Sequence, residues 1–183
     1  MSKKTAGVFG ALLAAFLGFT ANQPGTFTVE REITIKAPPE KVMVLINDFH
    51  NWRAWSPWEA RDPAIQRSFI GADHGKGAAY VWSGNDEARA GRIEITRSSA
   101  LSGVAMEVDF LAPSQSYNTA EFTLQPQGDS TRVVWSMRGA LAFSDKLKNV
   151  FFSVDSTLGK DFETGLSNMK AAAEKPAGVA PAA

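Results

Sequence analysis

Six consecutive segments of the sequence alternate apolar and polar residues, and only short turns separate them. The segments are residues 65–71, 78–84, 88–97, 104–112, 116–125 and 131–139, and each is bounded by Gly, Asn, Asp, Ser or Pro. A period of two is typical of half-buried strands. Because parallel neighbours need long crossover connections, strands joined this closely must pair antiparallel, which excludes a parallel βαβ sheet.

Helical patterns occur on both sides of these strands. A strand over residues 27–35 leads into two short helices, the second capped by Asp48 and ended by Pro57. Near the carboxyl end, apolar residues recur every three or four positions over residues 144–173, which predicts one long helix with a break near Gly159. The order predicts an α+β fold in which a twisted antiparallel sheet packs its apolar face against that helix.

Composition limits the chemistry of the chain. Its 183 residues are 44% hydrophobic and 21% charged, which suits one globular domain with a substantial core. The absence of cysteine excludes disulfides, thiol nucleophiles, cysteine-ligated zinc and iron–sulfur clusters. His50 and His74 have no second ligand at helical spacing, so the sequence predicts no metal site and no cofactor.

Charge argues against a nucleic acid partner. The chain has 19 basic and 19 acidic residues, and a phosphate-binding surface needs an excess of positive charge. Three of the basic residues, Lys3, Lys4 and Lys175, lie outside residues 24–174, which leaves 16 basic against 19 acidic residues there. We therefore expect a mildly acidic domain.

The amino terminus has the pattern of a membrane anchor or signal segment. Lys3 and Lys4 precede an uncharged, mostly apolar stretch from Ala6 to Ala21. We favour an uncleaved anchor over residues 1–23 that holds the domain on the periplasmic or outer side of a membrane, because the candidate cleavage sites lack small residues where a signal peptide needs them. The alternatives are a cleaved signal that exports the domain and a soluble helix that packs against it.

The rest of the chain divides into a domain and a tail. Residues 24–174 contain no internal repeat and no linker, so they predict a single domain. Residues 175–183 are rich in Ala and Pro and have no periodicity, which predicts a disordered tail. The sequence leaves the oligomeric state open.

Several motifs in residues 26–173 carry a family resemblance. In chain order they are REITIKAPPEKV, LINDFHNWRAWSPW, GNDEARAGRIEIT, EVDFLAP, TAEFTLQPQGDSTRVVWSMRG and GKDFETGLSNMK. With these motifs the chain resembles the START-like, or SRPBCC, superfamily in its polyketide cyclase/dehydrase-like branch. The resemblance implies the helix-grip (Bet v 1-like) fold, a curved seven-stranded antiparallel sheet around a long carboxy-terminal helix with a deep apolar cavity between them. It also implies binding of lipids, sterols, polyketides or other hydrophobic molecules.

Three tryptophans at intervals of three residues are the first candidates for a ligand site. Trp52, Trp55 and Trp58 could form an aromatic lip over a hydrophobic ligand, because an indole offers a large flat surface and one N–H donor. The alternative, which we favour, is a small core that seals the sheet against the short helices.

Side chains on the inward strand faces are the second set of candidates. At a period of two they could line a cavity or simply fill the interior, and core packing is the default. The candidates are Tyr80, Trp82, Met106, Phe110, Phe122, Trp135 and Met137, with the polar residues Asn85 and Asn118. Glu121, on the same strand as Asn118, is a further polar residue that could point inward.

The predicted function depends on the role of Glu59, which directly follows Trp58. A carboxylate at an apolar cavity wall could act as a general acid or base, although a solvated side chain is the simpler interpretation. We favour a membrane-tethered domain that binds a hydrophobic small molecule or lipid without catalysis. The alternatives are a cyclase- or dehydrase-type enzyme that uses Glu59, and an envelope interaction protein whose interior is packed.

Overall fold

The computed structural model describes residues 12, 14–62, 64–85, 90–100, 102–112, 115–149 and 153–175. Its strands are β1 (Thr26–Ile35), β2 (Gln66–Gly71), β3 (Ala78–Ser83), β4 (Ala90–Ser99), β5 (Gly103–Ala112), β6 (Ser116–Gln127) and β7 (Ser130–Ala140). Its helices are α1 (Pro39–Asn47), a 3-10 helix (Phe49–Ala54), α2 (Pro57–Arg61), α3 (Phe143–Asn149) and α4 (Val154–Ala173). All the predicted strands are present, with their ends shifted by one or two residues.

The seven strands form one antiparallel sheet in the order β1-β7-β6-β5-β4-β3-β2. Neighbours in the sheet are neighbours in sequence except β1, which lies at one edge beside β7. Buried and less buried residues alternate along β4, β6 and β7, as expected for strands with one face toward a core. A curved sheet of this order with a carboxy-terminal helix on its concave face is an α+β helix-grip fold, and the predicted fold class is confirmed.

Helix α4 covers one half of the concave face. Phe162 of α4 stacks on Trp135 of β7 with ring centroids 3.9 Å apart, and Leu166 and Met169 are fully buried beside them. Gly165 permits this close approach, because a Cβ there would lie 2.9 Å from the Trp135 ring. Ring stacking therefore fills the space between helix and sheet at this point.

The carboxy-terminal helical region differs from the prediction. It forms two helices, and the interruption precedes α4 instead of falling near Gly159. Gly159 lies inside α4, where a Cβ would be 2.0 Å from Nη2 of Arg31 on β1. The missing side chain lets Arg31 bind Asp155 at 2.8 Å and Glu163 at 2.7 Å. These contacts offset the cost of a glycine in a helix, which is about 1 kcal/mol relative to alanine.

Pro57 has a second role that the sequence pattern did not predict. It follows the 3-10 helix, as predicted, but it also begins α2, because proline is favoured in the first turn of a helix. Trp58 and Glu59 therefore lie on a helix of five residues that covers the other half of the concave face.

The amino-terminal segment is described only in part. Residues 14–21 are helical, and Leu17 and Phe19 are exposed there. Within the described residues, no helix is both long and apolar enough to cross a membrane. Residues 1–11 and 13 of the predicted anchor, and residues 176–183 of the predicted tail, lie outside the described residues.

Candidate functional site

An apolar cavity of about 70 Å³ lies between the concave face of the sheet and the segment formed by the 3-10 helix and α2. Ten of the predicted site residues line it: Trp52, Trp58, Glu59, Tyr80, Trp82, Met106, Phe110, Phe122, Trp135 and Met137. Ser56, Ile65, Ile93, Val108 and Ala120 also contribute to the wall. None of the lining residues belongs to α4, because the stack of Phe162 on Trp135 closes that side. The cavity therefore lies beneath the short helices and not, as the resemblance implied, against the long helix.

The size of the cavity limits what it can hold as it stands. An engineered apolar cavity of about 150 Å³ accepts benzene, and drug-sized ligands occupy pockets of about 300–1,000 Å³. A volume of about 70 Å³ has room for only a few carbon atoms. A lipid-sized ligand therefore requires the cavity to widen by movement of side chains at its edge.

Three half-buried aromatic side chains, Trp58, Trp82 and Phe110, form the rim of the cavity. The Trp82 and Phe110 rings meet edge to face with centroids 5.9 Å apart, on either side of Gly91 in the strand pairing. A Cβ at Gly91 would lie 2.5 Å from the Trp82 ring, so the glycine makes room for that ring. Because the rim side chains are only half buried, their movement sacrifices less packing than movement of the fully buried wall.

Two of the three regularly spaced tryptophans have a structural role. Nε1 of Trp52 donates to the carbonyl oxygen of Ile46 at 3.1 Å, and Nε1 of Trp55 donates to that of Leu45 at 2.8 Å. Both carbonyls belong to the last turn of α1, where C=O groups lack partners within the helix. Trp55 is buried outside the cavity wall, whereas Trp52 both caps α1 and lines the cavity.

The predicted polar site residues other than Glu59 lie away from the cavity. Asn85 is exposed between β3 and β4, and its backbone N–H donates to Asp62 at 2.8 Å. Asn118 is buried, but its side-chain amide bonds within the sheet at 3.3 Å and borders a separate groove at the end of the sheet. Glu121 lies on the opposite sheet face and pairs with Arg97, so its predicted inward orientation is wrong.

Glu59 is the centre of a polar cluster at the cavity wall. Its Oε2 accepts from Nε of Arg67 at 2.8 Å, and its Oε1 accepts from the Tyr80 hydroxyl at 2.6 Å. The Glu59 and Arg67 side chains are only 8% and 18% exposed. Hydrogen bonding to Glu59 raises the pKa of Arg67, and burial together with the bond to Glu59 raises the pKa of Tyr80. The pair is therefore a neutral unit whose charges are satisfied within the protein.

This cluster weighs against Glu59 as a general acid or base. Both carboxylate oxygens already accept hydrogen bonds, and the carboxylate balances the charge of Arg67 in a mostly buried position. Within the described part of the chain, no group of three His, Asp or Glu side chains could hold a metal ion.

The indole N–H of Trp135 is the only buried side-chain polar group of the described residues that lacks a hydrogen-bond partner. Its ring is 2% exposed and stacks on Phe122 and Phe162, and it meets Trp55 and Trp58 edge to face. Aromatic surroundings offer no oxygen acceptor. An unpaired buried donor costs about 1–3 kcal/mol.

Arg67 belongs to the polar cluster of the site but was not among the residues predicted from the sequence. It lies on β2 opposite Trp82, two residues after the buried Ile65. The period-two rule that places Ile65 inward also places Arg67 inward, and an inward arginine needs an acidic partner. The signal was therefore present in the sequence, and Glu59 is that partner.

The fold and the cavity together define a helix-grip protein with an aromatic cavity that short helices cover. The chain belongs to the family of polyketide cyclase / dehydrase and lipid transport proteins, whose sequence pattern matches residues 26–174. The predicted superfamily is confirmed. No curated protein matches the chain.

Solved structures of low sequence identity share the fold. The protein CV1439 from Chromobacterium violaceum is 13% identical with a TM-score of 0.58, and the match covers 84% of this chain and 100% of that one. The hypothetical protein jhp0584 from Helicobacter pylori is 11% identical with a TM-score of 0.61, covering 81% and 88%. Ara h 8.0201 is 12% identical with a TM-score of 0.55, covering 81% and 98%. At these identities the likeness concerns the fold alone.

Proposed function

We propose that the protein binds a hydrophobic small molecule or lipid in the cavity and does not catalyse a reaction. The observation that carries the proposal is the character of the wall, where apolar and aromatic side chains surround one charged group, Glu59, whose charge Arg67 balances from behind the lining. Predominantly apolar walls with few polar groups are typical of ligand pockets. The family to which the chain belongs includes lipid transport proteins, which supports the same class of ligand.

The wall also favours a particular ligand chemistry. The only unpaired buried donor of the described residues, the indole N–H of Trp135, belongs to a ring of the wall. An apolar molecule with an oxygen acceptor at one end, such as a fatty acid, an alcohol or a ketone, would satisfy that donor and bury its hydrocarbon part among the rings. A ligand with several charged groups would lack partners, because Glu59 and Arg67 already satisfy each other.

Membrane tethering by residues 1–23 is the second part of the proposal. The exposed apolar side chains of residues 14–21 support it, as does the pair Lys3 and Lys4, which favours a cytoplasmic terminus and a domain on the periplasmic or outer side. A domain held at a bilayer meets apolar ligands at a high effective concentration.

The test uses the full chain. Native mass spectrometry and solvent extraction of the purified protein should detect an apolar compound, and straight-chain fatty acids of increasing length should change its tryptophan fluorescence saturably. Ala120→Leu fills the cavity and should weaken fatty acid binding at least tenfold, whereas Ala105→Leu on the outer face of β5 should leave binding unchanged.

Two results would overturn the proposal. Absence of both a co-purified compound and saturable fatty acid binding would favour the packed interior. Turnover of a polyketide-like substrate that Glu59→Gln abolishes would favour the enzyme.

A further inference from the structure

The rim of the cavity and the start of β1 lie at the same end of the sheet, which we call the mouth end. The strand register brings together here the starts of β1, β2, β4 and β6 and the ends of β3, β5 and β7. Trp82 is one residue from the end of β3, and Phe110 is two residues from the end of β5. The helical segment of residues 14–21 enters the domain at this end, since only residues 22–25 connect it to the start of β1.

Exposed apolar side chains accumulate at the mouth end. Leu111 and Tyr117 are 49% and 69% exposed near the end of β5 and the start of β6, and Leu17 and Phe19 of the helical segment are 41% and 57% exposed. The other large apolar side chains exposed among the described residues are Leu12, ahead of the same segment, and Val44, Phe69 and Ile70. Phe69 and Ile70 lie toward the opposite end, since β2 begins at the mouth end.

The connection between the helical segment and β1 is short. Residues 14–21 carry no charge, and their one hydroxyl, on the buried Thr20, donates to the carbonyl oxygen of Phe16 at 3.0 Å, so the exposed side chains of the segment are apolar, a pattern that suits lipid or protein more than water. Only residues 22–25 separate this segment from Thr26, and a fully extended chain from residue 21 to residue 26 spans at most about 18 Å. If lipid surrounds the segment, the mouth end cannot lie further than this from it.

We propose that the mouth end rests against a lipid bilayer and that the apolar ligand passes directly between the bilayer and the cavity along Trp82 and Phe110. Tyr117 and Leu111 lie in the interfacial layer, where tyrosine is favoured and exposed apolar surface is stabilised. The domain is mildly acidic, so the apolar segment, rather than charge attraction, brings this end to the membrane. This inference rests on the proposed binding function and tether, and it adds the orientation of the domain and the route of the ligand.

The absence of cysteine makes the orientation directly measurable. Single variants Leu111→Cys, Tyr117→Cys, Ile70→Cys and Asp129→Cys of the full chain are labelled with a fluorophore and bound to phosphatidylcholine vesicles that contain a nitroxide-labelled lipid. Asp129, in the turn between β6 and β7, is 75% exposed at the opposite end. We expect at least threefold stronger quenching at positions 111 and 117 than at 70 and 129. Equal or stronger quenching at either control position would overturn the orientation.

The ligand route has its own test. Leu111→Asp/Tyr117→Asp should slow transfer of a fluorescent fatty acid from vesicles several-fold and leave its affinity in solution unchanged, whereas Ile70→Asp should change neither. Equal transfer rates in the unmodified chain, the double variant and Ile70→Asp would overturn the route. A full chain that binds fatty acid in solution but does not bind vesicles would overturn this inference alone, whereas loss of fatty acid binding itself would overturn the proposed function.

Discussion

The two halves of the concave face are covered in different ways. Under α4, Phe162 stacks on Trp135 at 3.9 Å, and the neighbouring side chains are fully buried. Under α2, the same sheet face borders a cavity, and the aromatic side chains of the rim are only half buried. One sheet thus carries a packed half, which stabilises the fold, and an open half, where we propose that the ligand binds.

The difference follows from the length and attachment of the two covers. Helix α4 has 20 residues and α2 has five. The polar contacts of helix α2 include the ion pairs of Arg61 with Asp161 and of Glu59 with Arg67, and the backbone N–H of Asn85 donates to Asp62 directly after the helix. A cover of five residues that buries only Pro57 fully opens at a lower free-energy cost than a long helix that buries Phe162 and Leu166, so ligand access is expected at α2.

The largest expected loss of stability comes from truncating a phenylalanine in the packed half, and the same truncation at the rim is its control. Phe162→Ala removes a fully buried ring from the packed half and should lower the free energy of unfolding by about 3–5 kcal/mol. Phe110→Ala removes a half-buried ring at the rim and should cost about 1 kcal/mol, because folding buries less of the surface of this ring than of Phe162. Urea unfolding followed by circular dichroism measures both. Equal losses would contradict the distinction between the two halves.

The ion pair in the open half should give the next largest effect. Arg67→Met leaves Glu59 without its cation in a site where the carboxylate is 8% exposed, and should destabilise the fold by about 3 kcal/mol. The double variant Glu59→Gln/Arg67→Met removes both charges while the glutamine oxygen can still accept from Tyr80, so most of that loss should be recovered. Unfolding of both variants at neutral pH tests this coupling. A double variant no more stable than Arg67→Met would show that the pair is not coupled.

The fold was predictable from the sequence to a large extent because its signals are local. The period of two in the strands and the short turns between them determine an antiparallel sheet whatever covers it, and the β7 pattern around Val133, Trp135 and Met137 is buried as expected. The inward residues of the site were found by the same rule. Arg67 obeys that rule as well, because its charged side chain turns inward to pair with Glu59.

The position of the cavity was not predictable, because it depends on contacts between distant parts of the chain. Trp135 and Phe162 are individually ordinary core residues, and only their stacking excludes α4 from the cavity wall. That stacking requires the absence of a side chain at Gly165, which no local pattern indicates. In the same way, Gly159 predicts a helix break from sequence alone, whereas in the structure Arg31 occupies the space beside it.

A smaller effect is expected when the same two methyl groups are added to each half. The comparison distinguishes spare volume from close packing. Ala173→Val enlarges a fully buried position on α4 and should cost about 1–3 kcal/mol, because a packed site has no room for the added groups. Ala120→Val enlarges a side chain at the cavity and should change the free energy of unfolding by less than about 1 kcal/mol, since the added groups enter existing space. Urea unfolding again provides the measurement. A loss at Ala120 as large as that at Ala173 would indicate that the cavity is not available volume.

The smallest effect is confined to alkaline pH and concerns Tyr80 in the open half. Burial and the bond to Glu59 raise the pKa of Tyr80, so the folded protein keeps the phenol protonated at a pH where the unfolded chain, with an ordinary tyrosine pKa of about 10, has lost the proton. The unfolded state then binds fewer protons than the folded state, and stability must fall as the pH rises above about 10.

Tyr80→Phe should reduce this decline, whereas Tyr117→Phe, at an exposed position, should leave it in place. The chain has two tyrosines, so ultraviolet absorbance of Tyr117→Phe reports Tyr80 alone and should show phenolate formation at a higher pH than in a free tyrosine. A normal titration of Tyr80 would mean that water and Glu59 are arranged differently around it, and that the open half is more hydrated than its apolar wall indicates.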